Sequence, residues 1–414
     1  MAQTFYPITP TEIVPGSAGS WVDMDASGSI PASATGVILH VVNTNSFINK
    51  GIGLRKNGST DDRYADLDNK AHFWAMIGVD GDRVFEAKVE STSDISIYVV
   101  GYTISGVTFL TNAEDMSLSS TGSWTDIDCS TEAPNATGLI FEALAGDYDQ
   151  FGLRKNGSTD DRHSEIYYHY CFGAVIGCDG SQVCEGYINS TNVDFFLVGY
   201  ITDGVTFNTN ATDLSLGSTG SWTDLTALPD ESPVMGIIEV NIGQDKDFGL
   251  RKNGSAEDIY LLGNEHAWGI VECDEDRKIE GKIEDTHVDF FLIGYATEPG
   301  VEAPTVTTQA VSSIGTTTAT GHGNITDDGG ETPSAWGICV GTSANPDTGD
   351  DVFAGSGDGS EGAFTASMTG LTPGTKLFLK AYATNSAGTS YGSEVIFFTP
   401  THSGFALFQD PAIV

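Results

Sequence analysis

The segment Gly-Leu-Arg-Lys-Asn-Gly-Ser occupies Gly53–Ser59 and returns at Gly152–Ser158 and Gly249–Ser255. Its surroundings return with it. Gly-Ser-Trp stands at Gly19–Trp21, Gly122–Trp124 and Gly220–Trp222, and Gly-Tyr closes an apolar run at Gly101–Tyr102, Gly199–Tyr200 and Gly294–Tyr295. The period is therefore about 100 residues, too long for a solenoid repeat of ~20–50 residues and the length of a β-sandwich. Three tandem copies of one small domain fill the first three quarters of the chain.

Within a copy, the apolar run Gly36-Val-Ile-Leu-His-Val-Val reads as a strand. Ile52–Lys56, the Asn57-Gly58 turn and the residues after it read as a β-hairpin. Phe73–Val79, Asp80-Gly-Asp82 and Arg83–Lys88 read as a second one, and Ile95–Tyr102 closes the domain. About seven or eight strands and no helix predict an all-β antiparallel sandwich, jelly-roll-like or Ig-like. The expected organisation is a lead-in over 1–16, then repeats over 17–103, 104–202 and 203–298. A different sandwich over 299–400 and an apolar tail over 401–414 complete it. With almost no linker between repeats, a stiff rod of successive domains is expected.

Composition narrows the function. Fifty-seven acidic residues against eighteen basic ones give a formal net charge of −39. Such a surface repels phosphate backbones and anionic lipid, so neither nucleic acid nor membrane is expected as a partner. Met1–Pro7 has neither a basic start nor an apolar run and does not read as an export signal. The six cysteines do not recur in register, which favours free thiols in a reducing compartment.

Candidate sites are few. In the repeated hairpin, Arg55 with Asp62, Arg154 with Asp161, and Arg251 in the looser third copy form a candidate grip for a glycan or a neighbour's carboxylate. The bland alternative is a solvated cross-strand ion pair worth under ~1 kcal/mol. Acid-rich turns holding Asp80 and Asp82, Asp147 and Asp149, and Asp245 and Asp247 are weak calcium candidates, because calcium takes six to eight oxygen ligands. No other cofactor is expected. In the tail, Phe405, Leu407 and Phe408 are costly in water and form a candidate anchor that could add a strand to a partner's sheet. A nucleophile elbow, phosphate loop or His-Glu-x-x-His helix does not occur, so the expectation is no enzyme.

Two resemblances add to this. Gly370-Leu-Thr-Pro-Gly374, the strand carrying Tyr382 and the turn Asn385–Gly388 resemble the late strands of a fibronectin type III domain. The resemblance covers about residues 303–400 and implies that sandwich fold; Trp336 lies later than that family's early-strand tryptophan. The repeated pattern over about residues 17–295 resembles β-rich modules of tailed-phage and related viral structural proteins. It implies a structural component of a tail, fibre or capsid surface, localised on the virion. Its partners would be like subunits, capsid or tail proteins, or a host-surface glycan. The alternatives from other classes are a multivalent carbohydrate-binding adhesin and an extracellular filament subunit.

Overall fold

A computed structural model describes residues 3–145, 149–166, 171–225, 228–229, 233–242, 246–263, 266–297 and 301–402. Every regular element among them is a β-strand, and all the named sheets are antiparallel. The chain divides into two compact units, Met1–Glu298 and Pro299–Val414.

In the first repeat the strands are β1 (Phe5–Ile13), β2 (Val22–Asp25), β3 (Gly36–Asn43), β4 (Lys50–Lys56), β5 (Ala65–Leu67), β6 (His72–Gly78), β7 (Val84–Val89) and β8 (Ile95–Thr103). They form two four-stranded sheets in the orders β1-β8-β3-β6 and β2-β7-β4-β5. The first strand pairs with the last, and successive strands alternate between sheets except β4 and β5, which pair with each other. That is an eight-stranded jelly roll rather than an Ig-like sandwich. The second and third repeats keep the same two orders. The lead-in expected over 1–16 contains β1, which holds the place of Val107–Asp115 and Val205–Asp213 in the later copies.

Two expected hairpins are corrected. Only Gly58 of the Asn57-Gly58 pair has positive φ, at 82°, and Ser59 N–H donates to Lys56 O at 3.1 Å. This is the signature of a type II turn, not of the type I′ turn that makes a two-residue hairpin. The chain then runs on to β5 before pairing, with Ile52 opposite Ala65. Likewise β6 and β7 lie in opposite sheets, so the Asp80 turn is a crossover between layers.

Burial explains how the repeats combine. Strands β7 and β8 alternate buried and half-exposed residues, as one-sided strands should. In β3 and β6 every residue is buried. Their inner faces meet the opposite sheet of their own repeat; their outer faces meet the other repeats. One core cluster accordingly draws Phe5, Ile38 and Met76 from the first repeat, Phe141 and Val175 from the second, and Ile237 and Trp268 from the third. The first and third repeats also touch: Leu262 N–H donates to Lys70 O at 2.8 Å, and Ala71 bridges Leu262. A linear string would keep those two repeats apart. The expected rod is therefore replaced, within this unit, by three jelly rolls closed on one another about a pseudo-threefold axis.

The second unit is a sandwich of its own. Thr305–Ser312, Thr318–Asp327 and Gly362–Thr369 make one sheet. Asp351–Ala354, Ala335–Gly341, Lys376–Asn385 and Gly388–Tyr391 make the other, with Val395–Phe398 also on Lys376–Asn385. The arrangement is fibronectin type III-like, with Gly388–Tyr391 and Val395–Phe398 pairing with successive halves of Lys376–Asn385 in the place of one last strand. Tyr382 is buried, and Asn385 Nδ2 holds Glu302 O at 2.6 Å and Asp328 O at 3.0 Å, which pins the turn before Gly388. Trp336 sits in the third strand and packs on Gly355 and Gly359.

Candidate functional site

The repeated heptapeptide is occupied within its own repeat and at the boundary with the next. Trp21 lies between Gly53, where a Cβ would stand 2.7 Å from the ring, and the Arg55 guanidinium, 4.1 Å from the ring centre. Arg55 Nε and Nη2 grip Glu86 at 2.9 and 3.1 Å, and its Nη1 donates to Asp61 O. The copies agree: Arg154 holds Glu185 over Trp124, and Arg251 holds Glu280 over Trp222. The expected diagonal partner of each arginine is bonded elsewhere. Asp62, Asp161 and Asp258 accept the indole N–H of Trp21, Trp124 and Trp222 at 2.7, 2.8 and 2.8 Å. That bond, with Lys88 beside it, holds the Asp62 carboxyl below its ordinary pKa.

The rest of the heptapeptide reaches the following repeat. At the first seam, Lys56 Nζ donates to Phe109 O at 3.0 Å. Ser59 Oγ and Thr60 N–H donate to Asn112 Oδ1 at 3.0 and 2.9 Å, and Ala113 N–H donates to Asp61 Oδ2 at 2.8 Å. The second seam repeats each bond: Lys155 to Phe207 O at 3.0 Å, Ser158 and Thr159 to Asn210, and Ala211 to Asp160. The Phe109 ring lies on Gly36 and Gly78, and the Phe207 ring on Gly138 and Gly177. At each of these glycines a Cβ would stand 2.2–2.5 Å from the ring or its Cβ. Glycine is required there by close approach, since φ is not positive at these four positions.

Nearer the axis each of these seams carries a buried ion pair. Arg63 holds Glu142, and Arg162 Nε and Nη2 hold Glu239 Oε2 at 3.0 and 2.6 Å. Burial raises the Glu142 pKa despite Arg63. At Glu239 burial pulls the same way but is outweighed by His266, 2.8 Å away, and by Arg162, so its pKa is lowered.

The third seam, between the hairpin of repeat three and β1 of repeat one, keeps Lys252 and Ser255 but departs from this pattern around them. Pro7 stands where Phe109 and Phe207 stand, by register with Gly101, Gly199 and Gly294. Met235 and Glu272 replace the two glycines beneath the ring. Lys252 turns to Glu272 instead of to a backbone carbonyl. Ile259 replaces the arginine and His40 the buried glutamate. His40 Nε2 lies 2.8 Å from His72 Nδ1 and its ring stacks 4.0 Å from Trp74. Burial, and for His40 the neighbouring His72, depress both histidine pKa values, that of His72 to about 3. What remains at this seam is a cleft of about 460 Å³ between Pro7–Pro10 on one side and Lys252, Ser255, Glu257 and Glu272 on the other.

The calcium candidates divide. Asp80 is a turn cap: Oδ1 accepts Asp82 and Val84 N–H at 2.9 Å each and Oδ2 accepts Asn57 at 2.6 Å, bonds that lower its pKa. Asp82 is exposed. Asp149 is buried, and Asp247 is raised in pKa by burial and by Glu284. Asp147 and Asp245 lie outside the described residues, as do Phe405, Leu407 and Phe408. Among the described residues the carboxylate cluster with metal-binding spacing is Asp327, Asp328 and Glu361, in the second unit. Cys129, Cys178, Cys184, Cys273 and Cys339 are buried free thiols.

No protein-family model and no curated protein sequence matches the chain. Among solved structures, the sensor domain of the anti-sigma factor RsgI4 of Pseudobacteroides cellulosolvens is similar over 25% of this chain and 100% of its own, at 18% identity and a TM-score of 0.20. The FN1–FN3 domains of chicken CNTN1 are similar over 71% of this chain and 97% of their own, at 11% identity and a TM-score of 0.20. Overlap at that level carries no argument, and the fold rests on the strand order itself.

Proposed function

We propose that this chain is a non-enzymatic structural component of a virus particle, of the phage tail, fibre or capsid-surface kind. The observation that supports it most is where the repeated side chains are spent. Lysine, serine and aspartate of the first two hairpins hold the next repeat, so duplication has produced one preassembled three-lobed unit. Eight-stranded jelly rolls are building blocks of viral capsids and of lectins. Carrying three of them in one chain makes their association intramolecular and independent of protein concentration. The charge of −39 suits a soluble, self-repelling outer surface and partners that are protein rather than nucleic acid. The tail over 401–414 is the proposed anchor to those partners.

The test is to purify particles from the encoding source on a density gradient and to probe them with antibody raised against residues 1–298. The reading expects this chain to co-sediment with particles at fixed stoichiometry and to decorate their surface in negative stain. It also expects a chain lacking 401–414 to fold and yet be absent from the particles. Its recovery only in the soluble fraction would overturn the proposal.

A further inference from the structure

The same binding geometry is built three times in the first unit, and two of the copies display their occupant. At those seams an extended Thr-Asn-Ala segment (Thr111–Ala113 and Thr209–Ala211) lies along the hairpin. It offers a side-chain amide oxygen to a serine hydroxyl, and the next backbone N–H to an aspartate. The third hairpin keeps the receiving groups: Ser255 stands in the place of Ser59 and Ser158, and Glu257 in the place of Asp61 and Asp160.

The chain's own strand does not complete that copy, for reasons legible in its residues. Between the residue opposite the Gly-Tyr glycine and the strand's second half, β1 runs from Pro7 to Thr11, whereas the later copies run from Phe109 to Glu114 and from Phe207 to Thr212. It is one residue shorter, and no asparagine falls where Asn112 and Asn210 fall. Pro10 takes the place of Ala113 and Ala211, and proline has no N–H to donate. With no strand N–H to accept, the Glu257 carboxyl has Ser255 and Arg251 beside it and is raised in pKa by burial, while its own N–H donates to Ser255 Oγ at 3.2 Å. The cleft of about 460 Å³ that results lies within the ~300–1,000 Å³ typical of sites that enclose a ligand.

We propose that this third seam is a docking groove for a short extended peptide of a partner protein, one presenting a side-chain amide to Ser255 and the following backbone N–H to Glu257. The occupied seams supply the chemistry of the ligand, and recognition is of the strand-addition type, backbone for affinity and one side chain for choice. Glu257 and Glu272 on the groove wall add a preference for a peptide without acidic residues at this point.

The probe is a fluorine-labelled, end-blocked tetrapeptide Leu-Thr-Asn-Ala, copied from residues 110–113, titrated into the full-length protein by fluorine NMR. Saturable binding near millimolar strength is expected for so few bonds, about 1 mM. Ser255→Ala, Glu257→Gln and the probe carrying alanine for asparagine should each weaken it about fivefold to tenfold. Ser59→Ala, in a filled seam, should leave it unchanged. Pro10→Ala gives the strand an N–H of its own and should weaken the probe while leaving the melting temperature unchanged or higher. Melting curves separate loss of the groove from loss of the fold. No saturable binding up to about 10 mM, or binding indifferent to Ser255→Ala and Glu257→Gln in folded protein, would overturn the proposal. So would a neutral oligosaccharide occupying the cleft that the peptide fails to displace.

Discussion

At the residue scale, the axis of the first unit is a place where burial and charge are matched differently at three equivalent positions. Glu142 and Glu239 are buried against arginines, and breaking such a pair on one side costs about 3–5 kcal/mol. At the third position His40 faces His72 in a neutral pair with Trp74 and Phe248 around it. The sign of the pH response follows. A histidine whose folded pKa is depressed contributes stability that is complete above about pH 6.5 and is lost as the pH falls toward its folded value, about 3 for His72. Each pH unit in that window costs about 1.4 kcal/mol per histidine held neutral. Glu239, lowered, adds loss only below the ordinary carboxylate range, whereas Glu142, raised, acts in the opposite direction. Urea unfolding at pH 6.5 and 5.0 should therefore show the first unit losing about 2 kcal/mol through His72. His72→Gln should flatten that dependence. Equal slopes in the two proteins would contradict the assignment.

At the scale of strands, each filled seam is a phenylalanine seated on two glycines, and each partner makes sense only with the other. Gly177→Val puts side-chain atoms where the Phe207 Cβ already lies, 2.5 Å from the position of the new Cβ. Overpacking of this kind costs about 1–3 kcal/mol or more. A lower melting temperature with the second unit's transition unmoved is expected; an unchanged melt would show that the ring is not seated there. Much at this scale was legible. Alternation marks β7 and β8, and the unbroken apolar run of β3 marks burial on both faces. Two readings failed because they were local. The Asn57-Gly58 pair satisfies a hairpin rule, but the pairing partner of β4 lies beyond it, at β5. Arg55 and Asp62 are close in sequence, yet the bond that settles Arg55 comes from Glu86, three strands on in the chain and adjacent in the sheet. The third seam also left a trace: Ile259 in the arginine's place, Glu257 for aspartate and Pro7 for phenylalanine are departures within a repeat that otherwise holds. Their meaning needed the cyclic packing, which no single copy encodes.

At the scale of the whole first unit, three jelly rolls gain from closing on one another because the outer faces of β3, β6 and their counterparts would otherwise leave apolar rows in water. Two seams are joined by continuous chain and by the full set of bonds; the third closes without either, which concentrates adaptability there. The 46 acidic against 16 basic residues of 1–298 push against closure, so the shared core and buried ion pairs must outweigh that repulsion. The most direct test is small-angle scattering from residues 1–298. Three repeats closed about one axis predict a radius of gyration of about 19–20 Å, the value for a compact chain of that length. Three separate sandwiches placed end to end would give about 30 Å, and that result would contradict the account.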